Sequence, residues 1–504
     1  MASSCLTQNS AVNQVPYDVW RTIFGIYVSD SAESSIEFDP NDGPLLLGQI
    51  CSAWRRITVE SPELWCNIEV AVDEDCRAFP KKELLEVALE RARRSLLRLG
   101  LRVRDEEKAP SASKIHLETA DMVDILLSNV SRAVHLEVDV RIIHSIFLDH
   151  PHGPQRFHKF IGQGAPSLVH LEISGKPFTF SPYSFGLRPG PYINPIIAKL
   201  WTPAPKLQTL NLCGHIHFQP ENSSIMEPLG SSLNHLRVLN MASPISAKDF
   251  IAILSVTKQL AQCTVEQLTG ELPVYSIAHH PIQLQFLSDL DMGGSGEVDD
   301  DYDETSPPLT QVVMYLRAPT LTSLHLRHDR GWSHSSFSAF LHHSSCIIRH
   351  LTLDIQDSSE IEKLECLELL PLLKTLNTCS GDRRSRESDS HFLTGIFANA
   401  LKKQDFSRRG TPFRICPILE HIELDYEALY DHASVETVFA NMVKRRLLSS
   451  THFRSVRVRK VRDKRSDNGD YGYVSFEILS LLSLRRSGLE LKLNPKPSWA
   501  VLLE

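Results

Sequence analysis

Ala165-Pro166-Ser167-Leu168-Val169-His170-Leu171-Glu172-Ile173 returns as Ala204-Pro205-Lys206-Leu207-Gln208-Thr209-Leu210-Asn211-Leu212. It returns again as Ala318-Pro319-Thr320-Leu321-Thr322-Ser323-Leu324-His325-Leu326, and as Cys416-Pro417-Ile418-Leu419-Glu420-His421-Ile422-Glu423-Leu424. Looser copies begin at Leu236, Leu260, Leu287, Ile348, Leu373 and Phe453, with earlier versions at Leu96 and Ala133. Three apolar positions in six arise often by chance in a chain that is 42% hydrophobic, so the proline decides. Of the ten copies from Leu168 onward, five carry proline two residues ahead of the first apolar position, at 166, 205, 319, 371 and 417. With 29 prolines in 504 residues, chance would place fewer than one there. Proline ends a preceding helix and pushes its predecessor to extended geometry. The alternating positions that follow make a short strand with one apolar side.

Between these strands lie stretches with helical spacing, such as Lys81 to Arg94 (apolar at 84, 85, 88, 89 and 92) and Ala247 to Leu260 (250, 251 and 254). Strand and helix in steady alternation imply an α/β chain of parallel strands stacked side by side as a solenoid. The repeats resemble leucine-rich repeats. Successive starts differ by 24 to 46 residues, where such repeats take about 20–29, and the asparagine or cysteine that normally follows the strand is mostly missing. The expectation is therefore an irregular solenoid over 67–504. Composition places probable flexible loops at 177–195, 293–308 and 380–390, the second of them rich in Asp and Glu.

The first 66 residues follow another pattern. Val15-Pro16-Tyr17-Asp18-Val19-Trp20-Arg21-Thr22-Ile23-Phe24 places apolar residues at 16, 19, 20, 23, 24 and 27, the spacing of one helical face. Leu46, Leu47, Ile50, Cys51, Trp54 and Ile57 repeat that spacing, and Ser61-Pro62-Glu63-Leu64-Trp65 opens with a cap signal for a third short helix. Pro16 suits a first helical turn, and Asp18 there complements the positive end of the helix dipole. Three short amphipathic helices in about 50 residues are too small for an independent core, so their apolar faces need another surface.

In order and spacing these pieces resemble the F-box, and the layout is most similar to the F-box proteins abundant in mushroom-forming fungi. Val15-Pro16, Ile23-Phe24, Leu46-Leu47, Ile50-Cys51, Trp54-Arg55 and Leu64-Trp65 fill the family's places. Val15 replaces the usual leucine, and an insertion over 29–44 separates the first two helical pieces. The resemblance implies an N-terminal all-α F-box over 14–66, preceded by a disordered 1–13. It also implies a function: a substrate-recognition adaptor of a cullin-RING ubiquitin ligase, docking a Skp-family adaptor and through it a cullin while the repeats bind a target protein. By the same resemblance Pro16, Val19, Ile23, Phe24, Leu46, Leu47, Ile50 and Cys51 form the adaptor-facing surface. Trp54, Leu64 and Trp65 join the box to the first repeat. A repeat scaffold without ligase role is the alternative.

A net charge of −8 does not indicate a generally basic nucleic-acid-binding surface. No apolar run approaches the roughly 18 residues of a membrane span, and the first residues lack a basic start and apolar stretch. Ten scattered cysteines without a C-x-x-C pair read as an intracellular chain with reduced thiols. No phosphate-binding glycine loop, nucleophile elbow or dinucleotide fingerprint is present, so no enzyme, cofactor or metal is expected. Gly162-Gln163-Gly164 reads as a turn. Cys213, His215 and His217 lack a fourth ligand, and the pairs His279-His280 and His342-His343 read as loop or helix-end residues. Lys444-Arg445-Arg446 and the basic stretch 454–465 read as the solvated face of a late repeat, or as a patch for an acidic partner.

Overall fold

The computed structural model describes residues 15–30, 41–104, 116–149, 152–175, 199–214, 230–272, 281–294, 307–329, 331–355, 359–378, 395–404, 413–429, 437–459 and 476–494. The segments 1–13, 177–195 and 380–390 lie outside the described residues. So do the greater part of 29–44 and of 293–308, His215, His217, His279-His280 and 460–465. The chain divides into two compact units, Met1–Leu236 and Arg237–Glu504.

In the first unit the alternating segments become β1 (Asn67–Val72), β2 (Ala78–Phe79), β3 (Leu97–Val103), β4 (Ala133–Asp139), β5 (His170–Gly175) and β6 (Thr209–Gly214). Only β2 is antiparallel, pairing with β1. From β1 the parallel ladder runs β1-β3-β4-β5-β6. Its register stacks Ile68, Leu99, Leu136, Leu171 and Leu210 in one buried row, with Val70, Leu101, Val138, Ile173 and Leu212 in the next. A shift of one residue would turn every one of them to the solvent face, which fixes the register. Crossover helices include α4 (Lys82–Arg91), α5 (Leu117–Ser128), α6 (Val140–Asp149) and α7 (Gly153–His158). Gly162 and Gly164 form the expected turn, both at positive φ.

The opposite face of this ladder is polar. Gly100 leaves a gap between β1 and β4 into which the Glu69 side chain leans; an added Cβ would meet Glu69 Cγ at 3.2 Å. Arg102 bridges across, with Glu69 at 3.7 Å on one side and a close bidentate pair with Glu137 on the other. Next to them the His135 and His170 rings stack, centroids 4.3 Å apart and 3° from parallel. Burial first, then the neighbouring His170 and Arg98, push the His135 pKa down to about 4; Glu172 opposes this and Arg102 adds to it. The unfolded imidazole titrates near 6.5. Between those values the unfolded chain takes up a proton that the folded one refuses, so this contribution is complete above about 6.5 and is lost as pH falls towards 4. Urea midpoints at pH 7 and pH 5 should therefore differ less in His135→Gln than in the parent chain. An identical drop in both would remove His135 as the source.

The second unit contains β7 (Val238–Met241), β8 (Ile245–Ser246), β9 (Gln262–Val265), β10 (Leu268–Thr269), β11 (Ile282–Gln283) and β12 (Asp289–Gly293). There follow β13 (Leu316–Arg317), β14 (Ser323–Asp329), β15 (His350–Ile355), β16 (Thr375–Asn377), β17 (His421–Asp425), β18 (Ser455–Arg459) and β19 (Glu490–Asn494). The ladder runs β7-β9-β12-β14-β15-β16-β17-β18-β19, parallel throughout. Two small parallel pairs, β8 with β10 and β11 with β13, lie outside it. Leu239, Cys263, Leu290, Leu324, Leu351, Leu376, Ile422 and Val456 form one continuous buried row.

Every repeat start from Leu168 onward leads into a ladder strand, and the earlier ones at Leu96 and Ala133 do too. The turns ahead of Leu207, Leu236, Leu260, Leu287, Leu321, Leu373 and Leu419 close with one shared hydrogen bond, from the leucine N–H to the carbonyl three residues back. The last strand, β19, was not among the expected repeats, although Leu489, Leu491 and Leu493 alternate through it. All described cysteines are free thiols. Burial raises Cys263 and Cys366 and pushes Cys416 up to about 12, so these act as small apolar core residues.

Candidate partner-docking site

The N-terminal helices are α1 (Tyr17–Asp30), α2 (Gly43–Ile50) and α3 (Ser52–Glu60), followed by the 3-10 turn Pro62–Trp65. The middle apolar stretch, expected as one helix, is broken. Cys51 is extended (φ −156°, ψ 168°), and its Sγ accepts from Trp54 N at 3.4 Å, capping α3. Arg55 Nε donates to Gly48 O at 2.8 Å across the break, which holds α2 against α3. Asp42 caps α2 ahead of Pro44, so that helix begins inside the segment expected as a loop up to residue 44.

Packing on α1 sorts its apolar residues into two stripes. Trp20, Phe24 and Val28 turn inward. The Phe24 and Trp54 rings lie 4.8 Å apart, edge to face, and Trp20 sits 4.9 Å from Trp54. Polar ties hold the helix at both ends: Arg21 pairs with Glu63, its Nη2 2.8 Å from Glu63 Oε2, and the Tyr27 hydroxyl donates to Asp42 Oδ1 at 2.7 Å. The Arg21 guanidinium holds the Glu63 carboxyl below the usual carboxylate range. The turn is anchored in turn by Trp65, whose Nε1 donates to Thr58 O at 2.8 Å and whose ring lies 4.4 Å beneath the Arg91 guanidinium of α4. Trp65 and Leu64 are buried, tying the helical piece to the first crossover helix.

The second stripe stays in solvent. Val19 and Ile23 are each 45% exposed, Ile26 56%, and Tyr27 is also exposed. Ile50, at the end of α2, is 54% exposed. A helix apolar on two sides with only one folded inward leaves the kind of surface that marks an interaction site.

The eight residues expected on the adaptor-facing surface therefore separate. Pro16, Val19, Ile23 and Ile50 are exposed, and Leu46 and Cys51 are half-buried. Phe24 (1% exposed) and Leu47 are core residues, and placing them on the surface is corrected. The aromatic cluster with Trp54 takes Phe24, and the inner face of α2 takes Leu47. Ile26 was missed, although it lies three residues beyond Ile23 and seven beyond Val19 on the same stripe.

Two other candidates change character. Arg457 and Arg459 both face Glu423 of the neighbouring strand, at 3.9 and 3.7 Å, so that part of the basic stretch shares one carboxylate of its own chain. Arg446, read with the surface cations, is 1% exposed. His342 and His343 sit in the last turn of a helix, as expected. Among the described residues no group of three or more His, Cys, Asp or Glu could hold a metal ion, and no helix is long and apolar enough to cross a membrane.

No family model matches the chain, and no curated protein does. Among solved structures it is similar to the leucine-rich repeat-containing protein LegL7 from Legionella pneumophila at 15% identity, with 64% of this chain and 82% of that chain covered and a TM-score of 0.31. So low a score carries no argument. The leucine-rich-repeat-like character of the chain rests on the parallel strand order, the stacked apolar rows and the recurring turn in each unit.

Proposed function

We propose that this protein is a substrate-recognition adaptor of an SCF-type cullin-RING ubiquitin ligase. In this reading the N-terminal helices dock a Skp-family adaptor, and through it a cullin, while the repeat ladders hold a target protein. The observation that carries it is the bare apolar stripe Val19–Ile23–Ile26–Tyr27, with Ile50 beside the end of α2, on helices whose other apolar side is already used. The chain contributes no chemistry of its own. Tethering raises the effective concentration of a target lysine near the transferring enzyme.

The test replaces exposed residues only. Ile23→Asp with Ile50→Asp puts two charges into the docking face while the Trp20–Phe24–Trp54 cluster stays whole. Capture of a purified Skp-family adaptor should weaken by at least about 100-fold, because buried apolar anchors carry most of an interface's energy. Far-ultraviolet circular dichroism should remain that of the parent. Undiminished capture by the double variant overturns the reading. No capture by the parent chain leaves a repeat scaffold for protein–protein interaction without ligase role.

A further inference from the structure

The described residues of the second unit include an exposed apolar row. Asp289, Ser323, His350, Thr375 and His421 are register partners on five successive strands. Three residues ahead of each stand Phe286, Thr320, Ile347, Leu372 and Ile418, at the edge where the turns enter the ladder. Phe286 is 53% exposed, Ile347 47% and Leu372 44%; Thr320 between them is exposed too, and Ile418 is half-buried. At the same place in the flanking repeats stand Gln259 and His452, so the row is bounded by polar residues at both ends.

A second row lies beside it. Ser288, Thr322, Arg349, Lys374 and Glu420 immediately precede the same strands and are hydrogen-bonded rung to rung, Thr322 N to Ser288 O, Arg349 N to Thr322 O and onward. Lys374 is paired with Glu420 at 2.6 Å. Among the described residues no ion pair engages Arg349, which is exposed next to Ile347 and Leu372. Arg317, also exposed, lies alongside Gln283, three residues before Phe286. After burial, His350 is held low by His325, Lys374 and Arg349, with Asp289 opposing them.

We propose that this edge docks an acidic amphipathic helix of a partner protein. Apolar residues of the helix would cover Phe286, Ile347 and Leu372, and carboxylates on its flank would meet Arg349 and Arg317. The dimensions agree. Rungs stand about 4.8 Å apart, close to the roughly 5.4 Å pitch of an α-helix, so a helix laid along the ladder keeps successive turns over successive rungs. From Phe286 to Leu372 is three rungs, roughly 14 Å or some ten helical residues. An unpaired cationic rim selects an acidic occupant over a basic one. Every residue involved belongs to the second unit, so the inference stands apart from the adaptor reading.

The probe is a fluorescein-labelled synthetic peptide of about four helical turns, with leucines at i, i+3, i+4 and i+7 spacing and glutamates on the flanks. A second peptide has lysine for every glutamate. Fluorescence anisotropy with the full chain should show binding of the glutamate peptide, weakened by added salt, and none of the lysine peptide. Arg349→Glu, and separately Ile347→Asp with Leu372→Asp, should each raise the Kd about tenfold or more, with unchanged circular dichroism. Equal binding of both peptides, absence of binding to the parent, or indifference to the substitutions overturns the proposal. So does sedimentation showing that the parent self-associates and the variants do not, because the occupant would then be a second copy.

Discussion

Replacing Arg446 by alanine is expected to cost the second unit roughly 3–5 kcal/mol, the loss that follows when a buried charged group with three hydrogen bonds is deleted. The helix Val438–Ser449 buries Phe439, Met442, Val443 and Arg446 on one face, so a guanidinium occupies a core position. It is satisfied by backbone carbonyls. Nε donates to Leu401 O at 3.0 Å, Nη1 to Cys416 O at 2.9 Å and Nη2 to Ile415 O at 2.6 Å, while the group lies 4.5 Å over the Phe413 ring. The Leu401 carbonyl belongs to the final turn of the helix Gly395–Lys402, whose dipole favours a cation there. Cys416 sits at positive φ in the turn that feeds β17, so one side chain fixes a helix end and a strand entry together. Burial lowers the Arg446 pKa to about 10, still far enough above neutrality to keep the charge.

Alanine would take the guanidinium donors from three inward-facing carbonyls, leaving Cys416 O only its bond from Leu419 N–H, and would open a cavity beside Phe413. Lysine keeps the charge but lacks the planar fork, and should fall between alanine and the parent. The control is Arg445→Ala: that neighbouring side chain is exposed and donates to Gln404 Oε1 at 3.0 Å, so its loss should stay within about 0.5 kcal/mol. Urea unfolding of the full chain, followed in the transition of the second unit, reads the difference. Equal midpoints for Arg446→Ala and Arg445→Ala would show that the three carbonyl bonds hold nothing together.

The second large effect contrasts two adjacent residues. Phe24→Ala should destabilise the N-terminal helices by about 3–5 kcal/mol, since it removes a buried ring from the centre of a small cluster. Ile23→Ala should change stability by less than about 0.5 kcal/mol, because its side chain already faces water. Trp20 and Trp54 both contact the Phe24 ring and supply the readout. Their fluorescence should shift towards that of exposed indole in Phe24→Ala and remain unchanged in Ile23→Ala. On the adaptor reading, capture should be lost in the first through unfolding and only weakened in the second through one lost contact. Reversed stability effects would mean that α1 is turned about its axis from the packing described.

The period-two alternation behind a recurring proline was enough to locate β5, β6, β14, β16 and β17, because a half-buried parallel strand needs an apolar residue at every second position and a break before it. It located the strand entries at Leu168, Leu207, Leu321 and Leu419 from nine-residue windows, whatever lay between them. Chain order likewise placed an amphipathic helical segment ahead of the repeats. Which side of that segment is spent on folding could not be read there. Positions 19, 20, 23, 24, 26 and 27 are apolar almost all the way round α1, and the approach of Trp54 settled that 20 and 24 go inward while 19, 23 and 26 remain bare. Arg446 makes the same point in reverse. In a run of three cations it looks solvated, and only the convergence of carbonyls from residues 30 to 45 positions away along the chain makes burial affordable. Local periodicity is a property of neighbouring residues and survives in the sequence. Satisfaction of a buried charge and choice of the inner helical face depend on atoms that only folding brings together.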